Sequence, residues 1–272
     1  MMKYLASLFL FGTLILGCSQ KEKNDSEKIS IVEKEVTYST DDLTMNGYIA
    51  YDDSFTEKRP GILVVHEWWG HNSYTRERAN MLAELGYVAI AVDMYGDGKQ
   101  AAHPEDAMKF SSNVMGNFDS AKARFNAAIE TLKQNPYVDP DQIGAIGYCF
   151  GGSVILAMAN DGLDLDGVAA FHAGLELPVM PGDDLTSRVL VMNGADDPFV
   201  SAGQIETFKK AMAKTDADFQ FVNYDGAVHA YTNPNATSMG EKFELPLAYN
   251  AEADSASWAE MKNFFENTFN QE

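Results

Sequence analysis

From residue 60 onward the chain alternates short apolar runs with longer amphipathic ones, and that alternation restricts the fold more than any other feature. "GILVVH" (61–66), "YVAIAV" (87–92), "QIGAIGY" (142–148), "GVAAF" (167–171), "RVLVMN" (188–193) and "FQFVNY" (219–224) are short, and most are rich in Val and Ile. Strands covered on both faces read this way. Between and after them stand five helical patterns: "SYTRERANMLAELG", "NFDSAKARFNAAIETLKQ", "GGSVILAMAN", "AGQIETFKKAMAKT" and "SASWAEMKNFFENTF". In the second, Phe118, Ala121, Phe125, Ala128, Ile129 and Leu132 share one helical face, Asp119 or Asn117 is placed to cap it, and Pro136 ends it. Upstream, "IVEKEVTYST" and "MNGYIAYDD" flank the polar "DDLT" and read as an antiparallel entry hairpin. The sum is an α/β fold over residues 31–272: a mostly parallel sheet with antiparallel entry strands, and helices on both faces. No internal repeat or long linker divides it, so one domain is expected.

The first 30 residues read differently. Lys3 precedes "YLASLFLFGTLIL", an apolar run too short to span a bilayer comfortably, as in a signal peptide over residues 1–17. Ile15-Leu16-Gly17-Cys18 resembles the bacterial lipobox, which implies lipid attachment at Cys18; Leu16 is bulkier than the usual small residue there, and the alternative is an ordinary signal peptide cut nearby, leaving a periplasmic protein. Residues 18–30 are polar, of mixed charge and without periodicity, and so form a flexible tether. Ser19 is not the aspartate that favours inner-membrane retention, which points to the outer membrane, periplasmic face, and to a protein hung from the membrane by lipid alone. A net charge of −20 argues against nucleic acid and anionic headgroups as partners. With Cys18 lipidated, Cys149 is the one remaining thiol and has no disulfide partner.

That thiol stands in Gly147-Tyr148-Cys149-Phe150-Gly151, between a strand and a helix. The pattern is the G-x-S-x-G nucleophile elbow with cysteine for serine. Side chains two residues either side of the nucleophile would collide, hence the glycines. A helix N-terminus beneath the sulfur favours thiolate, and the Phe150 amide points to where an oxyanion would form. The alternatives are a buried structural cysteine in a glycine-rich turn, or a phosphate loop. Elbow enzymes carry acid and base downstream, in that order. "GADDPFV" follows one strand and "DGAVHAYTNP" the next, so Asp196 or Asp197 is the acid and His229 the base. Asp197, standing before Pro198, is favoured because the turn can direct it back at the histidine.

These residues resemble the dienelactone hydrolase family of α/β-hydrolases, through "HEWWG", "AVDMYG", "GYCFGG", "GADDPFV" and "GAVHAYTNP", spread in order over residues 61–234, and through "LPLAYNAEADSASW" near the end. The resemblance implies a cysteine nucleophile, Cys149, with Asp197 and His229 completing the triad. It further implies that Glu67 contacts the nucleophile and takes part in its activation, and that the Trp68 backbone N–H is the second oxyanion donor opposite Phe150. It thereby implies hydrolysis of a small-molecule ester or lactone, with no cofactor. "HEWWGH" is no zinc motif, because its spacing is HExxxH and the second imidazole leaves the shared face.

One departure concerns substrate. Characterised members hold a substrate carboxylate with arginines, one a few residues after the catalytic histidine. Here that stretch offers Asn233, and no arginine lies between Arg78 and Arg124. An anionic lactone would lose its bidentate clamp. Trp68, Trp69, Tyr95, Phe199 and Tyr231 stand on the same loops, either packed as core or lining an apolar pocket. Two rivals to a hydrolase are a cell-surface binding module on the same fold and a thiol redox or transferase protein; the second lacks a resolving cysteine.

Overall fold

The computed structural model describes Met1 and residues 29–270, so the expected signal peptide, most of the expected tether and Cys18 lie outside the described residues. Eight strands form one sheet: β1 (Ile31–Ser39), β2 (Thr44–Asp52), β3 (Arg59–Val65), β4 (Val88–Val92), β5 (Val138–Tyr148), β6 (Gly167–Phe171), β7 (Arg188–Gly194) and β8 (Phe219–Tyr224). Their order is β1-β2-β4-β3-β5-β6-β7-β8. The β1–β2 hairpin and the β2–β4 pair are antiparallel, and every pair from β4 through β8 is parallel. The expected entry hairpin and parallel remainder are both present. The helices are α1 (Ser73–Glu84), α2 (Pro104–Gly116), α3 (Phe118–Lys133), α4 (Phe150–Asn160), α5 (Ala202–Met212), α6 (Ala236–Phe243) and α7 (Ala251–Phe269).

Side chains alternate across a strand, so a central strand feeds two cores. On β3, Leu63 and Val65 join a core shared with Phe125 and Leu132 of α3 and Val154 of α4. Ile62 and Val64 join the opposite one, with Leu82 of α1 and Phe264 and Phe265 of α7. All of these are buried, which is why the run reads as continuously apolar.

Parallel register brings the strand ends level. Val65 pairs with Gly147, Tyr148 with Phe171, Phe171 with Met192, and Gly194 with Tyr224. The segments after β3, β5, β7 and β8 therefore leave one edge of the sheet together, the carboxyl edge where open α/β sheets place their sites.

Helices α2 and α6 were not expected from the sequence. Each buries only two residues, Ala107 and Val114 in α2 and Ala236 and Gly240 in α6, too few to make an apolar stripe. The α2 cap is His103, whose ring accepts the Glu105 N–H, instead of one of the usual short polar residues. At the start of α3, Asn117 holds the cap position but makes no side-chain cap bond. Its Nδ2 instead donates to the Asn113 carbonyl of α2 at 2.7 Å, because α2 and α3 share that residue as their junction.

Candidate active site

Cys149 sits between the last residue of β5 and the first of α4, with φ 54° and ψ −116°. An L-residue at positive φ of this kind is strained by roughly 1–3 kcal/mol, and the surroundings must hold it there. The Cys149 N–H donates to the Phe171 carbonyl at 2.9 Å, and its own carbonyl accepts from Ser153 at 3.2 Å. A Cβ on Gly147 would lie 2.2 Å from the Gly151 carbonyl oxygen, and one on Gly151 would lie 2.3 Å from that of Val65. The strand, turn and helix pack backbone against backbone, and only glycine fits at either position.

Two of the residues singled out downstream, Asp197 and His229, converge on this corner. His229 Nε2 lies 3.0 Å from Cys149 Sγ, and His229 Nδ1 lies 2.8 Å from Asp197 Oδ2. The second Asp197 oxygen accepts the Phe199 N–H at 2.8 Å, so both carboxylate oxygens are satisfied in a buried position. Asp196 is exposed, its N–H donating to the Ala227 carbonyl at 3.0 Å. Of the two aspartates, Asp197 is the one turned toward the imidazole.

The loop carrying His229 is braced from below. Arg78 of α1, itself buried, donates to the Thr232 carbonyl and to Asp254 of α7, each at 2.6 Å. The Thr232 hydroxyl bonds Tyr74 at 2.6 Å and His172 Nε2 at 2.8 Å. The His172 ring meets His229 edge-on at 5.2 Å, and Phe199 meets it from another side at 5.0 Å. Burial pushes His172 well below the ordinary histidine range, with the nearby His229 and Arg78 charges acting in the same direction. It therefore stands as a neutral wall.

Burial would also lower His229. The Cys149 charge, with the hydrogen bonds to Asp197 and Cys149, outweighs it and raises this histidine to about 10.

Glu67 is buried just beyond β3. The expectation from resemblance was a contact with the nucleophile; here Oε2 instead accepts a 2.6 Å hydrogen bond from Asn233 Nδ2, while the thiol is engaged by His229. Burial raises Glu67 to about 7, against the lowering effects of Asn233, His229 and Arg78. Its neighbour Trp68 turns its carbonyl to the Tyr95 hydroxyl at 2.8 Å. Among the described residues neither the Trp68 nor the Phe150 N–H has an acceptor, so both are available to an oxyanion.

A cavity of about 1230 Å³ opens over the sulfur. Its walls include Met115 of α2, Leu175 and Met180 of the segment after β6, and Phe199, with Trp68 and His229 at its base. Of the five aromatic residues expected on these loops, Trp68 and Phe199 line the cavity, while Trp69, Tyr95 and Tyr231 are packed as core. The sequence reading missed the α2 wall and the Arg78, Thr232 and His172 support. Arg78 and His172 stand outside every motif, and Thr232, although inside "GAVHAYTNP", shows nothing in sequence of the partners that its hydroxyl and carbonyl find.

The dienelactone hydrolase family model matches residues 45–269. Protein usf of Aquifex pyrophilus is 30% identical over 222 residues, covering 79% of this chain and 94% of that protein. An Aquifex aeolicus protein named "Putative carboxymethylenebutenolidase" is 27% identical over 237 residues, covering 85% and 96%. Among solved structures, a dienelactone hydrolase-like promiscuous phosphotriesterase from metagenomic libraries superposes with a TM-score of 0.80 at 32% identity, covering 88% of this chain and 98% of that one. An elbow on an eight-stranded sheet and a family match over nearly the whole described fold lead to one assignment: the chain belongs to the dienelactone hydrolase family of α/β-hydrolases.

Proposed function

We propose that this hydrolase cleaves carboxylic esters or lactones by way of a thioester on Cys149. The Cys149 thiolate adds to the carbonyl carbon, and the oxygen that gains the electron pair is met by the Phe150 and Trp68 amides. Collapse expels the alkoxide, which takes its proton from the His229 imidazolium. His229, now neutral, removes a proton from water as that water adds to the thioester, and the second collapse returns the thiolate. Asp197 holds the Nδ1 proton and so fixes the tautomer. Glu67, a buried carboxyl that accepts from Asn233, acts as a positioning residue for the loop that carries His229.

The observation that carries this reading is the line of contacts at 3.0 and 2.8 Å from Cys149 through His229 to Asp197. The carboxymethylenebutenolidase name of one relative, and the lactonase in the name of a Bradyrhizobium relative 28% identical over 187 residues, support the same reaction class. The test is a panel of p-nitrophenyl esters of several acyl lengths, with wild type beside Cys149→Ala. Turnover lost in the variant supports the hydrolase; equal release by both favours a binding module.

We further propose that the protein is held at the bacterial envelope by lipid on Cys18. Among the described residues no helix is long and apolar enough to cross a membrane, so the reading rests on the sequence of the first 18 residues. Metabolic labelling with an alkynyl fatty acid should mark wild type and not Cys18→Ala.

A further inference from the structure

We propose that the cavity over Cys149 selects esters whose acyl and alcohol groups are uncharged and largely apolar, and rejects those bearing a second carboxylate. This rests on the hydrolase reading above and names its substrate class.

The chain has five arginines, and each is engaged away from the cavity. Arg59 donates to the Asp52 carbonyl, and Arg76 pairs with Glu35. Arg78 is held by Thr232 and Asp254, Arg124 donates to the Met94 carbonyl at 2.7 Å, and Arg188 pairs with Asp218. Among the described residues no lysine lines the cavity either. The position four residues after His229 is Asn233, and its amide is already given to Glu67.

Among the described residues the cavity's one acidic residue is Glu176, exposed at its wall. Most of the lining hydroxyls are turned to the protein's own backbone: Ser111 to Ala107, Ser153 to Gly174 and Thr207 to Gly203, each at 2.8 Å. The N-terminus of α5 also borders the cavity, but a capping box of Ser201 and Gln204 closes it. A bound carboxylate would thus leave water, meet no cation and face Glu176, in a chain whose net charge is −20. What the walls do offer is apolar: Leu175, Leu177, Met180, Met115 and Phe199. The volume of about 1230 Å³ also exceeds the roughly 300–1,000 Å³ of ordinary small-ligand sites, leaving room for a long or bulky group.

The experiment pairs three p-nitrophenyl esters of similar length: heptanoate, the mono-ester of adipate, and the same adipate capped as its methyl ester. The proposal expects kcat/KM for heptanoate to exceed that for the free adipate by at least about thirtyfold, the scale of leaving a charged group unpaired. The methyl cap should restore most of the loss. Glu176→Lys should narrow the heptanoate-to-adipate ratio by roughly three- to tenfold, as expected for reversing one charge in a water-accessible cavity. A ratio near one, a preference for free adipate, or a loss that persists in the methyl ester would overturn the proposal. Release no faster than by Cys149→Ala on all three esters would instead overturn the hydrolase reading, and the specificity with it.

Discussion

Asn233 donates a 2.6 Å hydrogen bond to Glu67 across 166 residues of sequence, placing a neutral amide against a buried carboxyl in the stretch where the sequence departs from the arginine of the family it resembles. A cation there would hold Glu67 ionised. With an amide, burial prevails and raises the group to about 7.

A pH-dependent stability follows. The folded state binds the Glu67 proton more tightly than the ordinary value of 4.5 for an unfolded chain. Its contribution to stability is therefore complete below about pH 4.5 and is lost as pH rises through 7. Glu67→Gln removes that loss. The stability of the variant relative to wild type should grow from about pH 5 to 7 and level off above, in urea denaturation at a series of pH values. A difference that shrinks as pH rises would contradict the assignment.

The strained turn at Cys149 makes a second prediction. Glycine accepts φ 54°, ψ −116° freely and alanine does not. Cys149→Gly should therefore be more stable than Cys149→Ala by about 1 kcal/mol or more, with both inactive, as read from thermal or chemical denaturation. Equal stability of the two variants would mean that the turn stores no strain.

The two aspartates should separate cleanly. Asp197→Asn removes the carboxylate that orients His229 and should lower kcat on a p-nitrophenyl ester by about 10²- to 10⁴-fold. Asp196→Asn, at an exposed side chain, should stay within about twofold, the ordinary effect of a surface change. The reverse ranking would assign the acid to Asp196.

His229 raised to about 10 predicts how activity depends on alkaline pH. The leaving alkoxide needs the imidazolium proton, so kcat/KM for an ester with a poor leaving group should hold across neutral pH and fall toward pH 10. A fall centred near the ordinary histidine value of 6.5 would show that the Cys149 charge does not support the imidazolium.

The core of the site was legible because its chemistry is local. Gly147, Cys149 and Gly151 announce an elbow within five residues, and Asp197 and His229 each follow a strand whose apolar run ends visibly. Parallel pairing then levels those ends without further instruction. Glu67 was drawn by resemblance, but its partner was not: the bond to Asn233 joins two loops that share no motif. Arg78 likewise reaches Thr232 across 154 residues, and a lone arginine in an amphipathic helix reads as solvated. Helix α2 escaped because a helix that lines a cavity with one face and meets solvent with another has little apolar stripe left to show. The junction at Asn117 escaped for a related reason, since a capping residue serves one helix only until another helix claims its side chain.

The central claim is that the Cys149 sulfur carries the acyl group. The most direct measurement is acid quenching of wild type and His229→Ala in the presence of p-nitrophenyl butyrate, followed by mass analysis of the peptide holding Cys149. The account predicts one butyryl group on Cys149, transient in wild type and persistent in His229→Ala, and none in Cys149→Ala. Butyrylation at another residue, or ester hydrolysis that continues undiminished in Cys149→Ala, would contradict it.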